Sequence, residues 1–186
     1  MSRKIVWGIT GAGDYLLETL DVMRRVSGDL GLSVTVVLSE NGELVVKWYG
    51  LWDEVRAEFG KVRSERGANV PFLAGPLQLG HYAFFFISPG TANTVAKIAY
   101  GIADSLITNC VAQAVKGGTP VYIDPVDQKL GSQETEGPQG EKISIVTRQI
   151  DVENADRLRS MAGINVLSHP DEIEAIARAV VGTEGR

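Results

Sequence analysis

Short β-branched runs alternate along the chain with segments of helical period. Residues 4–7 and Ser33–Leu38, the latter carrying Val34, Val36, Val37 and Leu38, read as the first two strands. Between them Leu16, Leu20, Met23 and Ser27 recur at steps of four, three and four, marking one face of a helix that opens at Asp14, with Gly28 where a C-cap belongs. Residues 44–59 form a second helical region that Gly50 divides, and 63–71 read as an exposed loop. Residues 83–87 are apolar on both faces and predict the buried centre of the sheet. Residues 91–116 are helix-forming with Gly101 as the weak point, and Gly117-Gly118 closes the segment before a strand at 121–123.

The last third keeps the rhythm after an interruption. Residues 124–140, rich in Gly, Gln and Pro, read as a long loop, and 141–148 as a hairpin arm. A helix over 152–161, a strand over 164–167 and a final helix follow. In that helix Ile173, Ile176, Ala177 and Val180 keep the i, i+3, i+4, i+7 spacing, with Ser168 as its expected N-cap and Pro170 and Asp171 in its first turn. The pattern predicts an α/β protein with a largely parallel sheet, a single domain over 1–186 with an arm at about 124–150.

Composition narrows the partners. At 186 residues and 44% hydrophobic content the chain can bury a core without disulfide or metal staples, and no metal site is expected. A net charge of −5 with no long basic run argues against nucleic acid. The single Cys110 can form neither an internal disulfide nor a four-thiolate cluster, which fits a reducing compartment. Ile5-Val6-Trp7 before Gly8 is too short for a signal-peptide core, and the run at 83–87 is too short for a membrane span of ~20 residues. A soluble, cytoplasmic protein with no membrane partner is expected.

Three strings carry candidate chemistry. Gly8-Ile9-Thr10-Gly11-Ala12-Gly13 follows the first strand and opens the first helix, so free N–H groups and the positive helix end face the space above the sheet, as an anion site requires. The spacing is not the dinucleotide G-x-G-x-x-G, although Glu40 stands where that motif's ribose-binding acid would, and a tight strand-to-helix turn satisfies the same string. Ser39-Glu40-Asn41 ends strand two, where Ser39 and Asn41 are donors to the same anion or caps of the next helix. Ser88-Pro89-Gly90-Thr91-Ala92-Asn93-Thr94 ends the buried strand in small and polar residues that let a flat ring approach the backbone; a turn and helix cap have the same composition.

The run Pro89-Gly90-Thr91-Ala92-Asn93-Thr94, continued by Ala96-Lys97, Ala99, Gly101, Ala103-Asp104-Ser105-Leu106, resembles the P-[AL]-[ST]-A-N-T and A-K-x-A-x-G-x-A-D-N-L signature of the homo-oligomeric flavin-containing cysteine decarboxylase family, with Ser105 in place of Asn. Gly8-Ile9-Thr10-Gly11-Ala12 resembles its flavin loop, and the likeness runs from about Ile5 to Ile123. The resemblance implies a flavodoxin-like, doubly wound sheet with helices on both faces, FMN as cofactor, and homo-oligomers built from trimers with flavin near subunit contacts. It implies cofactor contacts at Thr10, Gly11, Ala12, Ser39, Asn41, Ser88, Gly90, Thr91, Thr94, Ala103, Asp104 and Ser105, and substrate contacts at Asn93 and Asp127. Trp48, Tyr49 and Trp52 suit either such an interface or the core.

Departures narrow the branch. Where the family's decarboxylases carry a His in H-I-x-L the chain has Pro76-Leu77-Gln78-Leu79, and His81 further on reads as a surface residue. Where they carry P-x-M-N-x-x-M-W it has Pro125-Val126-Asp127-Gln128, so cysteinyl decarboxylation is disfavoured. The chain is most similar to the archaeal-flavoprotein branch and the acceptor-type dihydromethanopterin reductases. That implies hydride transfer from reduced FMN to a dihydropterin, with an unidentified electron donor. Asp104 and Asp127 are candidates to supply a proton or orient the pterin, and no catalytic residue is assigned. A flavin electron carrier, a phosphopantothenoylcysteine-type decarboxylase and a flavin prenyltransferase are the alternatives.

Overall fold

The computed structural model describes residues 3–182. The first half runs β1 (Lys4–Ile9), α1 (Leu16–Gly28), β2 (Ser33–Leu38), α2 (Glu40–Trp48), α3 (Trp52–Phe59), β3 (Val62–Ser64), α4 (Ala74–Gln78) and β4 (Phe85–Gly90). It continues with α5 (Ala92–Ala99), α6 (Leu106–Gly117), β5 (Val121–Pro125), β6 (Gly131–Glu136), β7 (Lys142–Thr147), α7 (Gln149–Arg159), β8 (Ile164–Val166) and α8 (Glu172–Gly182). Six parallel strands form one sheet in the order β3-β2-β1-β4-β5-β8, while β6 and β7 pair antiparallel as a separate arm. This is the flavodoxin-like α/β architecture.

Strand alternation divides the apolar residues between two cores. Ile5, Trp7 and Ile9 of β1, with Phe84 and Phe86, face Leu16, Leu20, Met23, Phe59 and Ile173 from α1, α3 and α8. Val6, Phe85, Ile87 and Val121 face Leu77, Ile98, Ile107, Cys110 and Leu158 from α4 to α7. Helices on both faces are thus a consequence of strands that are apolar on both sides, and β4 is buried along its whole length. Among the described residues no helix is long and apolar enough to cross a membrane.

The departures from the expected elements have local causes. Gly50, at φ 71°, divides α2 from α3 as expected, and Gly101, at φ 72°, breaks the 91–116 segment into α5 and α6 outright. Helix α1 begins at Leu16 rather than Asp14, because Tyr15 adopts the left-handed conformation at φ 59°. Part of the expected 63–71 loop is β3, whose three residues pair with Val36, Val37 and Leu38. The expected 124–140 loop contains β6, so the arm is longer than the 141–148 hairpin. Both strands are largely exposed, and β6 is wholly polar, so its pairing with β7 through backbone hydrogen bonds leaves little apolar signal in that strand. Ser168 does not cap α8 by its side chain; the Glu172 carboxylate instead accepts from the Ser168 and His169 N–H groups at 2.7 and 3.1 Å.

Candidate functional site

The sheet order reverses between β1 and β4: the chain moves from β1 toward β2 and β3, and from β4 toward β5 and β8. The loops leaving these two strands therefore diverge and open a crevice at their carboxyl ends. Thr10 staples its two sides. Its hydroxyl donates to the Pro89 carbonyl at 2.6 Å, and its Oγ1 accepts the Thr91 N–H at 2.8 Å. At 1% exposure Thr10 holds the loops rather than facing the opening.

Three helices begin around the crevice, each with a hydroxyl cap. Ser39 accepts from Gly42 N–H at 3.0 Å, Thr91 from Thr94 N–H at 3.3 Å, and Ser105 and Thr108 form a reciprocal capping box. Together they bound a cleft of about 470 Å³ lined by Gly11, Ser39, Asn41, Thr91, Asn93, Thr94, Asp104 and Ser105, with Glu40, Glu65 and Lys97. The Asn41 and Asn93 amides have no hydrogen-bond partner among the described residues. Lys97 is paired with Asp104 at 2.8 Å.

Glu65 escaped the sequence reading. One of its carboxylate oxygens accepts the Leu106 N–H at 2.9 Å and the other the Glu40 N–H at 3.3 Å, so a single anion closes the first turns of α6 and α2. Those helix ends favour negative charge. The partners are 41 and 25 positions away, and only the pairing of β3 beside β2 delivers Glu65 there.

The other expected residues lie elsewhere. Ala12 is buried in the β1–α1 loop, and Ala103 is exposed on the connection before α6. Gly90 sits where β4 and β5 approach closely, so that a Cβ there would meet the Asp124 carbonyl at 2.9 Å. Ser88 is fully buried on the α1 face, within hydrogen-bond distance of Thr19 and Asp124, and does not reach the cleft. Asn93 and Asp127 are not brought together. Asp127 is half-buried at the base of the arm, where it accepts from the Thr147 hydroxyl at 3.4 Å, and burial with the nearby Asp151 raises its pKa. His81 is exposed in the turn after α4, and Pro76 lies inside that helix.

A second cavity, of about 460 Å³, lies between the β1–α1 loop and the arm. Its walls are Gly13, Asp14, Tyr15 and Glu18 on one side, Tyr49 at one end, and residues 133–138 of the arm on the other. The Tyr49 hydroxyl donates to the Glu136 carbonyl at 3.0 Å, tying the arm to α2. Gly13 permits this, since a Cβ there would fall 2.0 Å from the Tyr49 oxygen. Of the two thiol or acid groups most shifted by burial, Cys110 is pushed up to about 12 and is inert, and Asp124 is pushed up to about 7.

A parallel sheet with helix caps and a donor-lined cleft at its switch point defines a nucleotide-type binding protein of the flavodoxin-like class. The profile of the Flavoprotein family matches residues 1–183, and the chain belongs to that family. It is 52% identical to an uncharacterised protein of Methanocaldococcus jannaschii over 93% of each chain. It is 33% identical to a dihydromethanopterin reductase (acceptor) of the same organism, over 93% of this chain and 95% of that one. Among solved structures, Burkholderia xenovorans DmrB in complex with FMN, described as a cubic protein cage for redox transfer, matches with a TM-score of 0.83. The identity is 29%, over 98% of this chain and 97% of that one.

Proposed function

We propose that the chain is an FMN-dependent oxidoreductase that reduces dihydromethanopterin, or a closely similar dihydropterin, to its tetrahydro form. The observation that carries this reading is the donor-lined cleft at the switch point, set beside a separate arm-covered cavity. The likeness to a dihydromethanopterin reductase over nearly the whole of both chains supports the substrate, and the FMN complex of DmrB supports the cofactor.

The residues present fit FMN. Ser39, Thr91, Thr94 and Ser105 offer hydroxyls, Asn41 and Asn93 offer free amides, and Gly11 brings the loop so close to α2 that a Cβ there would sit 2.7 Å from the Asn41 Cβ. With Lys97 neutralised by Asp104 and Glu65 already on two helix starts, the phosphate and polyol would be held by neutral donors rather than by net positive charge. Bound there in its reduced state, FMN supplies the hydride for a C=N bond of the pterin.

The arm-covered cavity suits the second reactant. Asp14, Glu18, Glu134 and Glu136 present acceptors to the N–H-rich edge of an aminopyrimidinone ring, and Tyr49 and the arm form its far walls. An electron carrier would need no such second cavity, which favours an enzyme over that alternative. The electron donor is a nicotinamide nucleotide or a reduced redox protein. The test is anaerobic: photoreduced protein mixed with dihydromethanopterin should return to the oxidised flavin spectrum. Failure of the pterin to reoxidise it would remove the proposal.

A further inference from the structure

On the face of the sheet that α1 covers, four oxygens stand in a row from strand to helix. Asp124 Oδ2 lies 3.1 Å from Ser88 Oγ, Ser88 Oγ 2.8 Å from Thr19 Oγ1, and Thr19 Oγ1 2.6 Å from the Tyr15 carbonyl oxygen. All three side chains are fully buried. Three contacts need three protons, and the two hydroxyls bring one each. The Tyr15 carbonyl can only accept, so it takes the Thr19 proton. Thr19 must then accept from Ser88. The remaining contact, between Ser88 and Asp124, holds a proton only if the carboxyl brings it. Sharing one Thr19 proton between both neighbours would weaken and lengthen both contacts, yet one is short at 2.6 Å and the other has the ordinary O–H···O length of a full bond at 2.8 Å.

The surroundings agree with a neutral carboxyl. The charges that bear on Asp124 are Glu18 of α1 and Glu172 of α8, both acidic, and burial is the largest influence raising its pKa. The Gln128 amide, after β5, stands 3.4 Å from Oδ1, and its own oxygen accepts from Arg159 of α7 at 2.6 Å. His169, before α8, packs edge-on against the Tyr15 ring and lies 3.2 Å from Asp171. Among the described residues no Lys or Arg forms an ion pair with Asp124. Two influences would favour its anion: the Ser88 proton, which is spent on Thr19, and the Gln128 amide, whose contact with Oδ1 is long at 3.4 Å and which also donates to the Leu167 carbonyl at 2.8 Å.

We propose that Asp124 is carried as the neutral acid and acts as a positioning residue, the terminal donor of a chain through Ser88 and Thr19 that holds the turn at Tyr15. Loss of its proton turns the Ser88 hydroxyl onto the carboxylate and draws the Thr19 hydroxyl toward Ser88, so that the Tyr15 carbonyl is held by the Thr19 N–H alone, at 2.8 Å, and the turn loosens. Tyr15 is the one non-glycine residue at positive φ among those described, a conformation that needs support from its surroundings. It also borders both the 460 Å³ cavity and a smaller cleft of about 180 Å³ toward Gln128 and Arg159. The chain Asp124–Ser88–Thr19–Tyr15 is therefore a pH-sensitive latch on one wall of the arm-covered cavity. It stands whether or not a flavin binds.

Trp7 gives a local probe, because its indole N–H donates to the Ser88 carbonyl at 2.8 Å. In the full-length protein this resonance, assigned with Trp7→Phe, should titrate in one step near neutral pH. In Asp124→Asn, whose amide can donate to Ser88 at every pH, the step should vanish. The unfolding constant of the native protein should rise relative to that variant by about tenfold per pH unit from about pH 5 to 6.5. Should Asp124→Asn not fold, Glu18→Gln should lower the midpoint of the Trp7 step by removing a like charge. A step that survives unchanged in the folded Asn variant, a step indifferent to Glu18→Gln, or no step in the native protein would each overturn the proposal.

Discussion

Gly11 is the residue on which the cofactor cleft depends most sharply. A side chain there has no room beside Asn41, at 2.7 Å from its Cβ, and any rearrangement displaces the α2 start that Ser39 caps. Gly11→Leu should weaken FMN binding by more than about tenfold, or ~1.4 kcal/mol, in a flavin-fluorescence titration, while far-ultraviolet circular dichroism is retained. An affinity equal to that of the native protein would place the cofactor elsewhere. Asp124 sets a stability trend of opposite sense to most acids. Its folded pKa of about 7 lies above the ordinary 3.8, so the folded state holds a proton that the unfolded chain releases. Stability should therefore fall between about pH 4 and 7, by up to ~1.4 kcal/mol per unit, and level off above; the Asn variant lacks this slope in urea melts. At this scale the hydroxyl caps Ser39 and Thr91 were legible because a cap and its N–H partner are three residues apart. Glu65 and the Ser88–Asp124 pairing were not, because their partners meet only through strand order.

Strands and helices were legible in proportion to how much apolar surface they bury. β1, β2 and β4 carry nearly continuous apolar runs and stood out, as did the helix face of Leu16, Leu20 and Met23. β3 and β6 did not, since the former has three residues and the latter pairs through backbone groups with exposed polar side chains. The arm formed by β6 and β7 is joined to the rest of the site by the Tyr49 hydroxyl and by its own cavity wall. Deleting residues 132–139 should leave FMN bound, because no residue of that stretch lines the 470 Å³ cleft, yet lower pterin turnover by about tenfold or more through loss of one wall of the 460 Å³ cavity. Unchanged turnover in steady-state assays would make the arm a passive appendage.

For the whole molecule, the exposed apolar side chains suggest contacts beyond one chain. Trp48 is 63% exposed, Phe72 70% and Leu79 71%. Of the three aromatics that suited an interface in the sequence, only Trp48 stays open. Trp52 packs against the core beneath Lys47 and Arg56, and Tyr49 is taken up by the arm. The assembly built from trimers remains our proposal, supported by the cage described for DmrB. Light scattering should give a mass that is a multiple of three chains, and a stable monomer with full flavin occupancy would remove it. The proposed reaction has a fixed stoichiometry. With photoreduced protein under anaerobic conditions, one equivalent of dihydromethanopterin per flavin should be consumed as the flavin reoxidises, and chromatography should recover tetrahydromethanopterin in equal amount. Reoxidation only by small redox proteins, or carbon dioxide released from phosphopantothenoylcysteine in place of pterin reduction, would contradict it.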